Sequence, residues 1–408
     1  MKKLFKKIIT FILAFKVKKL LKKSNCEIIA ITGSVGKTTC KKIIADVLAS
    51  KFSVLESSGG FNTPLGILLS ILNEKQSGFS NFKKWFCIIK RAYTQNINLP
   101  QKIVLEVGVD KKGDMKEILK IIQPDITVIT KIAPAHLGKN QFNSLQEIFQ
   151  EKSKLAFAAK KMIILNQDCS FLKKIKSLKQ KIVFFSKKNQ QSNFFISSLQ
   201  NEKNGFSFSL KNNQKTKKFF IPLFGDFNFS SFIPAIIIAQ QNKIPLSKVA
   251  NIFKKFTPLP GRGKIFKGVN GSIIWDLSYN SSPLATEKAL SILKKIPAKR
   301  YLALLGNMNE LGKKSFAFHK ALGQQAACFC DQIFFVGTEK NAFKNGVKNK
   351  KPLAIFPTSK IAGERIKEIL KQGDLILVKG SQNNVFLEKA IEKLLLNKKD
   401  INNLCRKV

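Results

Sequence analysis

The segment Gly33-Ser34-Val35-Gly36-Lys37-Thr38-Thr39 has the residue types and spacing to hold phosphate. It follows the apolar run Ile28 to Ile31 and precedes a helical pattern that reaches Leu48. Its two glycines let backbone N–H groups close around an anion, and the helix start adds partial positive charge. Lys37 is placed to reach the outer phosphates and Thr38 to hold Mg2+. The loop is one or two residues tighter than the usual Gly-x-x-x-x-Gly-Lys form. A plain glycine turn before a helix is the competing reading, but the order strand, loop, helix favours ATP or GTP. Glu106 ends a second apolar run, where a carboxylate is costly unless it meets a cation. Two further residues are silent by themselves. His136, one of two histidines, reads as structural, and Lys152 reads as one more solvated lysine.

The elements that must position these groups alternate between apolar runs and helical patterns, which predicts α/β architecture with largely parallel sheets. Strands are expected at Glu27 to Thr32, Ile103 to Val107, Ile126 to Thr130, Met162 to Leu165 and Val183 to Phe185. The polar stretch Asn189 to Lys218 reads as hairpins or loops at one edge. A break falls near Thr257-Pro258-Leu259-Pro260-Gly261. Beyond it, strands are expected at Ser272 to Trp275, Tyr301 to Leu305, Ile333 to Val336 and Leu375 to Val378. The organisation is thus a basic helix over 1–24, a central P-loop ATPase-type domain with mostly parallel sheet over 25–258, and a Rossmann-like α/β domain over 259–408.

Composition excludes several classes. With 408 residues, 44% of them apolar, the chain can bury real cores and is neither a disordered tail nor a disulfide scaffold. Seven scattered cysteines read as reduced and cytosolic, and Cys328 and Cys330 have no partners at zinc spacing. The net charge of +47 predicts salt-sensitive, non-specific polyanion binding. Only five of the 72 basic residues are arginine, which argues for compositional bias and against specific nucleic-acid recognition. Residues 1–23 carry nine lysines around an apolar run too short to span a bilayer, with no small-residue cleavage site. Two readings stand for this helix. It lies on an anionic membrane surface, peripheral at the inner face, or it packs on the body of the protein with its lysines in water.

From Asn25 onward the chain resembles the Mur ligases, which use ATP to join an amino acid or peptide to a cell-wall precursor. The resemblance rests on Ile31 to Thr39, Gly60-Phe61-Asn62-Thr63-Pro64-Leu65-Gly66, Leu105-Glu106-Val107-Gly108, Pro124 to Thr130, Ala135-His136-Leu137, and Ser144-Leu145 leading to Glu151-Lys152. Asp276 to Pro283, Leu305 to Gly312 and Leu377-Val378-Lys379-Gly380-Ser381 are most similar to the branch that adds D-alanyl-D-alanine.

The resemblance implies a two-metal ATPase site. Gly33 to Thr39 would cradle ATP, with Lys37 on its β and γ phosphates. Thr38 and Glu106 would hold one Mg2+. His136 and Lys152 would serve the second, with Lys152 carbamylated. Arg262 would reach the γ phosphate from the C-terminal domain and Asp276 would meet the ribose. Asn228 would lie near adenine. Asn62 and Thr63 would face the peptidoglycan precursor, while Tyr279 and Asn280 would lie near the amine substrate or the nucleotide.

Several positions depart from the family pattern. Gly225-Asp226-Phe227-Asn228 stands where relatives show Gly-x-His-Asn, and Ser231, Leu277, Asn307 and Gln382 replace Asn, an acid, Asp and Arg. About 25 residues precede the phosphate-loop strand, too few for the uridine-nucleotide-binding module of relatives, so a different grip on the precursor is expected. Two alternatives remain: another ligase of the superfamily with a lipid-linked or different acceptor, and a non-catalytic nucleotide- or polyanion-binding protein.

Overall fold

Strands that are apolar without alternation need cover on both faces, and here helices supply it. The computed structural model describes residues 2–58, 61–74, 82–134, 141–176, 179–202, 205–212, 215–381 and 385–405, with the backbone only for 2, 3, 82 and 226–228. In chain order come α1 (Lys2–Lys23), β1 (Glu27–Thr32), α2 (Lys37–Ala49), β2 (Val54–Glu56), α3 (Pro64–Ile71) and α4 (Phe82–Thr94). Then follow β3 (Lys102–Glu106), α5 (Asp114–Leu119), β4 (Ile126–Ile129), α6 (Leu145–Phe157), β5 (Met162–Asn166) and β6 (Lys181–Ser186). The hairpin strands β7 (Phe194–Glu202), β8 (Gly205–Asn212) and β9 (Lys215–Ile221) lead to α7 (Ile233–Gln241) and α8 (Leu246–Lys254).

Among the described residues these strands form one sheet in the order β2-β3-β1-β4-β5-β6-β7-β8-β9. It is parallel through β7 and antiparallel across the last two pairs. The expected edge hairpins are therefore present. Along β1, Ile29 and Ile31 enter one core while Ile28 and Ala30 enter the other. Helices α2, α7 and α8 cover the first face, and α1, α3, α4 and α6 the second.

A second sheet contains β10 (Lys264–Lys267), β11 (Ile273–Asp276), β12 (Arg300–Gly306), β13 (Gln332–Val336), β14 (Leu353–Phe356) and β15 (Asp374–Lys379), in the order β10-β11-β15-β12-β13-β14. Only β10 runs antiparallel to its neighbour. Leu375 and Leu377 face one core and Ile376 and Val378 the other.

Three strands were not expected: β2, β10 and β14. All are sheet edges of three or four residues, partly exposed, so they carry no long apolar run for a pattern to reveal. Thr130, expected inside a strand, lies just past β4, where its hydroxyl serves the phosphate-loop segment instead. Helix α1 packs on the body along Ile9, Leu13 and Val17, against α3 and α4. No helix among the described residues is long and apolar enough to cross a membrane.

Candidate active site

The loop between β1 and α2 takes its shape from glycine. Gly36 caps α2 at φ 84°, and a Cβ there would meet Ser231 Oγ at 2.7 Å. At Gly33, φ is 143° and a Cβ would fall 2.1 Å from Thr130 Oγ1. The segment just past β4 holds the loop. Ser34 N donates to Lys131 O at 2.7 Å, Ser34 Oγ to Ala133 O at 2.8 Å, and Thr130 Oγ1 to Val35 O at 2.6 Å. Thr39 continues α2 beside Thr38. Lys37 Nζ folds back to Gly33 O at 3.0 Å. Burial pushes its pKa down, the Glu106 carboxylate opposes that, and the charge of Arg262 adds to it.

Glu106 ends β3, one strand from the loop, because β1 and β3 are in parallel register. Thr38 Oγ1 donates to its Oε2 at 2.8 Å, and Asn62 Nδ2 lies 3.4 Å from Oε1. Burial would raise the Glu106 carboxyl, but Lys37, Arg262 and the Thr38 hydroxyl outweigh it and hold the group ionised. Asn62 is fixed by its own carbonyl, which accepts from Gly108 N at 2.8 Å. Thr63 is the N-cap of α3, its hydroxyl accepting from Gly66 N at 3.3 Å.

Lys152 is fully buried on α6, and its Nζ has no hydrogen-bond partner among the described residues. Burial, aided by Lys37, lowers its pKa to about 7. Burial thus favours the neutral amine, which has no hydrogen-bond partner among the described residues. Its neighbour Glu151, also buried, accepts from Gly113 N and Met115 N and ties α5 to α6. His136 lies outside the described residues, as does the side chain of Asn228. No three His, Cys, Asp or Glu side chains gather as a metal site among the described residues. The Glu106 carboxylate and the Thr38 hydroxyl offer oxygen donors that suit a hard cation, and the charge of Glu106 reaches the Lys152 amine.

From the second sheet, Arg262 stacks on Tyr279, Cζ lying 3.8 Å from the ring centroid. Its charge is felt at both Lys37 and Glu106, so the structure brings the two halves of the expected site together. Asp276, expected at the ribose, is fully buried; its Oδ2 accepts from Gly261 N at 3.1 Å, in the turn that carries Arg262, and its Oδ1 accepts from Ser278 N at 2.9 Å. Asn280 is exposed, and its carbonyl accepts from Lys379 Nζ at 2.9 Å. Lys379 is buried, which together with Arg262 lowers its pKa to about 8. Sequence reasoning gave Lys379 and Glu151 no role. In the sequence the Leu377 to Ser381 segment singled out the first, and the second stood only as the neighbour of Lys152 in the Glu151-Lys152 motif.

A nucleotide loop facing a cross-sheet arginine, on two α/β units, defines an ATP-dependent ligase type of site. The model of the Mur ligase middle domain matches residues 31–239, and that of the Mur ligase glutamate ligase domain matches 261–382. The chain is 30% identical over 388 residues to UDP-N-acetylmuramoyl-tripeptide--D-alanyl-D-alanine ligase of Buchnera aphidicola, covering 93% of this chain and 78% of that one. The enzyme of the same name from Rickettsia prowazekii is 26% identical over 385 residues, 90% and 78% of the two chains. The MurF ligase of Thermotoga maritima, solved in complex with ADP, superposes with a TM-score of 0.79 at 21% identity, covering 96% of this chain and 84% of that one. The chain belongs to the Mur ligase family.

Proposed function

We propose that the protein is an ADP-forming amide ligase that joins D-alanyl-D-alanine to a UDP-N-acetylmuramoyl-tripeptide in peptidoglycan precursor synthesis. The observation that carries the chemistry is the convergence of Lys37, the Thr38–Glu106 pair, the buried Lys152 amine and the Arg262–Tyr279 stack. The choice of substrates rests on the named activity of the relatives.

In this reading a tripeptide carboxylate attacks the γ phosphate of ATP, giving an acyl phosphate and ADP. The amine of D-alanyl-D-alanine then attacks the activated carbonyl and phosphate leaves. Lys37 and Arg262 oppose the charge that builds on the transferred phosphoryl group. Residues 33–39 hold the phosphates, while Asn62, Tyr279 and Asn280 line the approach of the two substrates. Asp276 and Lys379 are positioning residues for Arg262 and Asn280. In this reading Thr38 and Glu106 would hold one Mg2+, and His136 with a carbamylated Lys152 would hold a second. They would neutralise phosphate charge there. Lys152 reaches its liganding form when the neutral Nζ adds to CO2 and releases one proton, and its depressed pKa supports that. The two catalytic units are taken as 25–258 and 259–408. Dependence on ATP assigns the reaction to the cytoplasm, and the basic surface should also retain polyanions non-specifically.

The test is ADP release coupled to mass detection of product, with ATP, Mg2+, bicarbonate, UDP-N-acetylmuramoyl-tripeptide and D-alanyl-D-alanine. Product of the added mass, absent with Lys37→Ala, is expected. ATP hydrolysis or binding without that product would overturn the substrate assignment.

A further inference from the structure

We propose that the outer face of α1, with the adjoining face of α4, seats the protein on an anionic lipid surface. This goes beyond the ligase reading and does not depend on it. The stripe opposite the buried Ile9, Leu13 and Val17 consists of Leu4, Ile8, Phe11 and Phe15, exposed by 64%, 49%, 76% and 65%. Their spacing of four, three and four residues puts all of them on one side of the helix. Phe86 on α4 adds a fifth large apolar side chain, 69% exposed. Single exposed apolar residues are ordinary, but a row of aromatic and aliphatic side chains along one helix needs a partner.

Charge selects the partner. The chain has no acidic residue before Glu27, so α1 carries no negative charge. Lys7, Lys18, Lys19 and Lys22 are exposed on the same half of the helix as the apolar row. Helix α4 exposes Lys83 and Lys90 on the same side as Phe86. A row of inserted phenylalanines flanked by lysines that reach up to phosphate matches a membrane interface, apolar below and anionic at headgroup depth. The helix lies on the bilayer, since no described helix can cross one. The face is also preformed. Tyr93 Oη donates to Ile12 O at 2.9 Å and Lys16 Nζ sits 5.6 Å from the Tyr93 ring centroid, fixing α1 to α4.

The overall charge of +47 would hold any face of the protein near an anionic vesicle, so the test must separate insertion from attraction. Full-length protein is floated with equimolar phosphatidylglycerol and phosphatidylcholine vesicles, and with phosphatidylcholine alone, at physiological ionic strength. Flotation with the anionic vesicles only is expected. The double variant Phe11→Ser, Phe15→Ser keeps every charge and should lose about tenfold in partitioning. Phe86→Ser provides a second variant on a separate helix, with a smaller loss in the same direction. Unchanged thermal unfolding and ADP release would verify that the fold is intact. Equal flotation of wild type and both variants would overturn the proposal in favour of generic charge. So would a wild-type dimer in light scattering that the double variant converts to monomer, since a second copy would then cover the face.

Discussion

A buried lysine is costly, and Lys152, which has no hydrogen-bond partner among the described residues, pairs that cost with the repulsion of Lys37. If the group works as a carbamate, Lys152→Gln should fold and bind ATP but lose at least about a hundredfold in kcat, comparable to losing other charge-stabilising groups. Wild-type activity should rise with bicarbonate while the variant stays flat, as read by ADP release across a bicarbonate titration. Lys379 gives a pH signature. Its folded pKa of about 8 lies below the ordinary 10.5, so between those values the unfolded chain holds a proton that the folded protein has released. Stability should therefore gain from this group as pH rises through that window, by up to about 1.4 kcal/mol per pH unit, with the burial cost fully present below pH 8. Urea unfolding of wild type and Lys379→Met at several pH values should show the difference moving towards wild type as pH rises.

At the scale of elements, the loop from β1 to α2 works because left-handed backbone and close approach occur at the same residue. Gly36→Ala adds a methyl at φ 84° and 2.7 Å from Ser231 Oγ. It should destabilise by about 1–3 kcal/mol and weaken ATP binding, measured by urea unfolding and calorimetric titration. The turn Gly261-Arg262-Gly263 depends on a different device, a buried carboxylate that takes backbone N–H groups from two sides. Asp276→Asn leaves one of those groups facing an amide NH2 and should cost about 1–3 kcal/mol. It should lower kcat by roughly tenfold with little change in the KM for ATP, because Arg262 is displaced and the nucleotide pocket is not. A raised KM for ATP at unchanged kcat would instead point to the ribose contact that the resemblance implies.

Across the whole molecule, two doubly covered sheets place their loops so that charges distant in sequence act on one another. Arg262 influences Lys37 and Glu106 although more than half the chain separates the first two. The protein should elute from an anionic resin at a salt concentration that falls little with Arg262→Lys, since its basic surface is spread over the molecule, whereas kcat should drop because a lysine cannot stack on Tyr279 or offer a planar fork. Local order was legible in the residues alone: strand, glycine loop and helix at 27–48, the apolar runs of both sheets and the polar hairpins all follow from short-range pattern and turn chemistry. So was the family, because its motifs recur in order along the chain. Long-range pairing decided the rest. The edge strands β2, β10 and β14 are defined by neighbours rather than by their own side chains. The burial of Lys152, the double acceptance by Asp276 and the anchoring of Asn280 by Lys379 each join groups that no sequence period links. A side chain's ionisation and duty depend on what surrounds it in space, and packing alone supplies those surroundings.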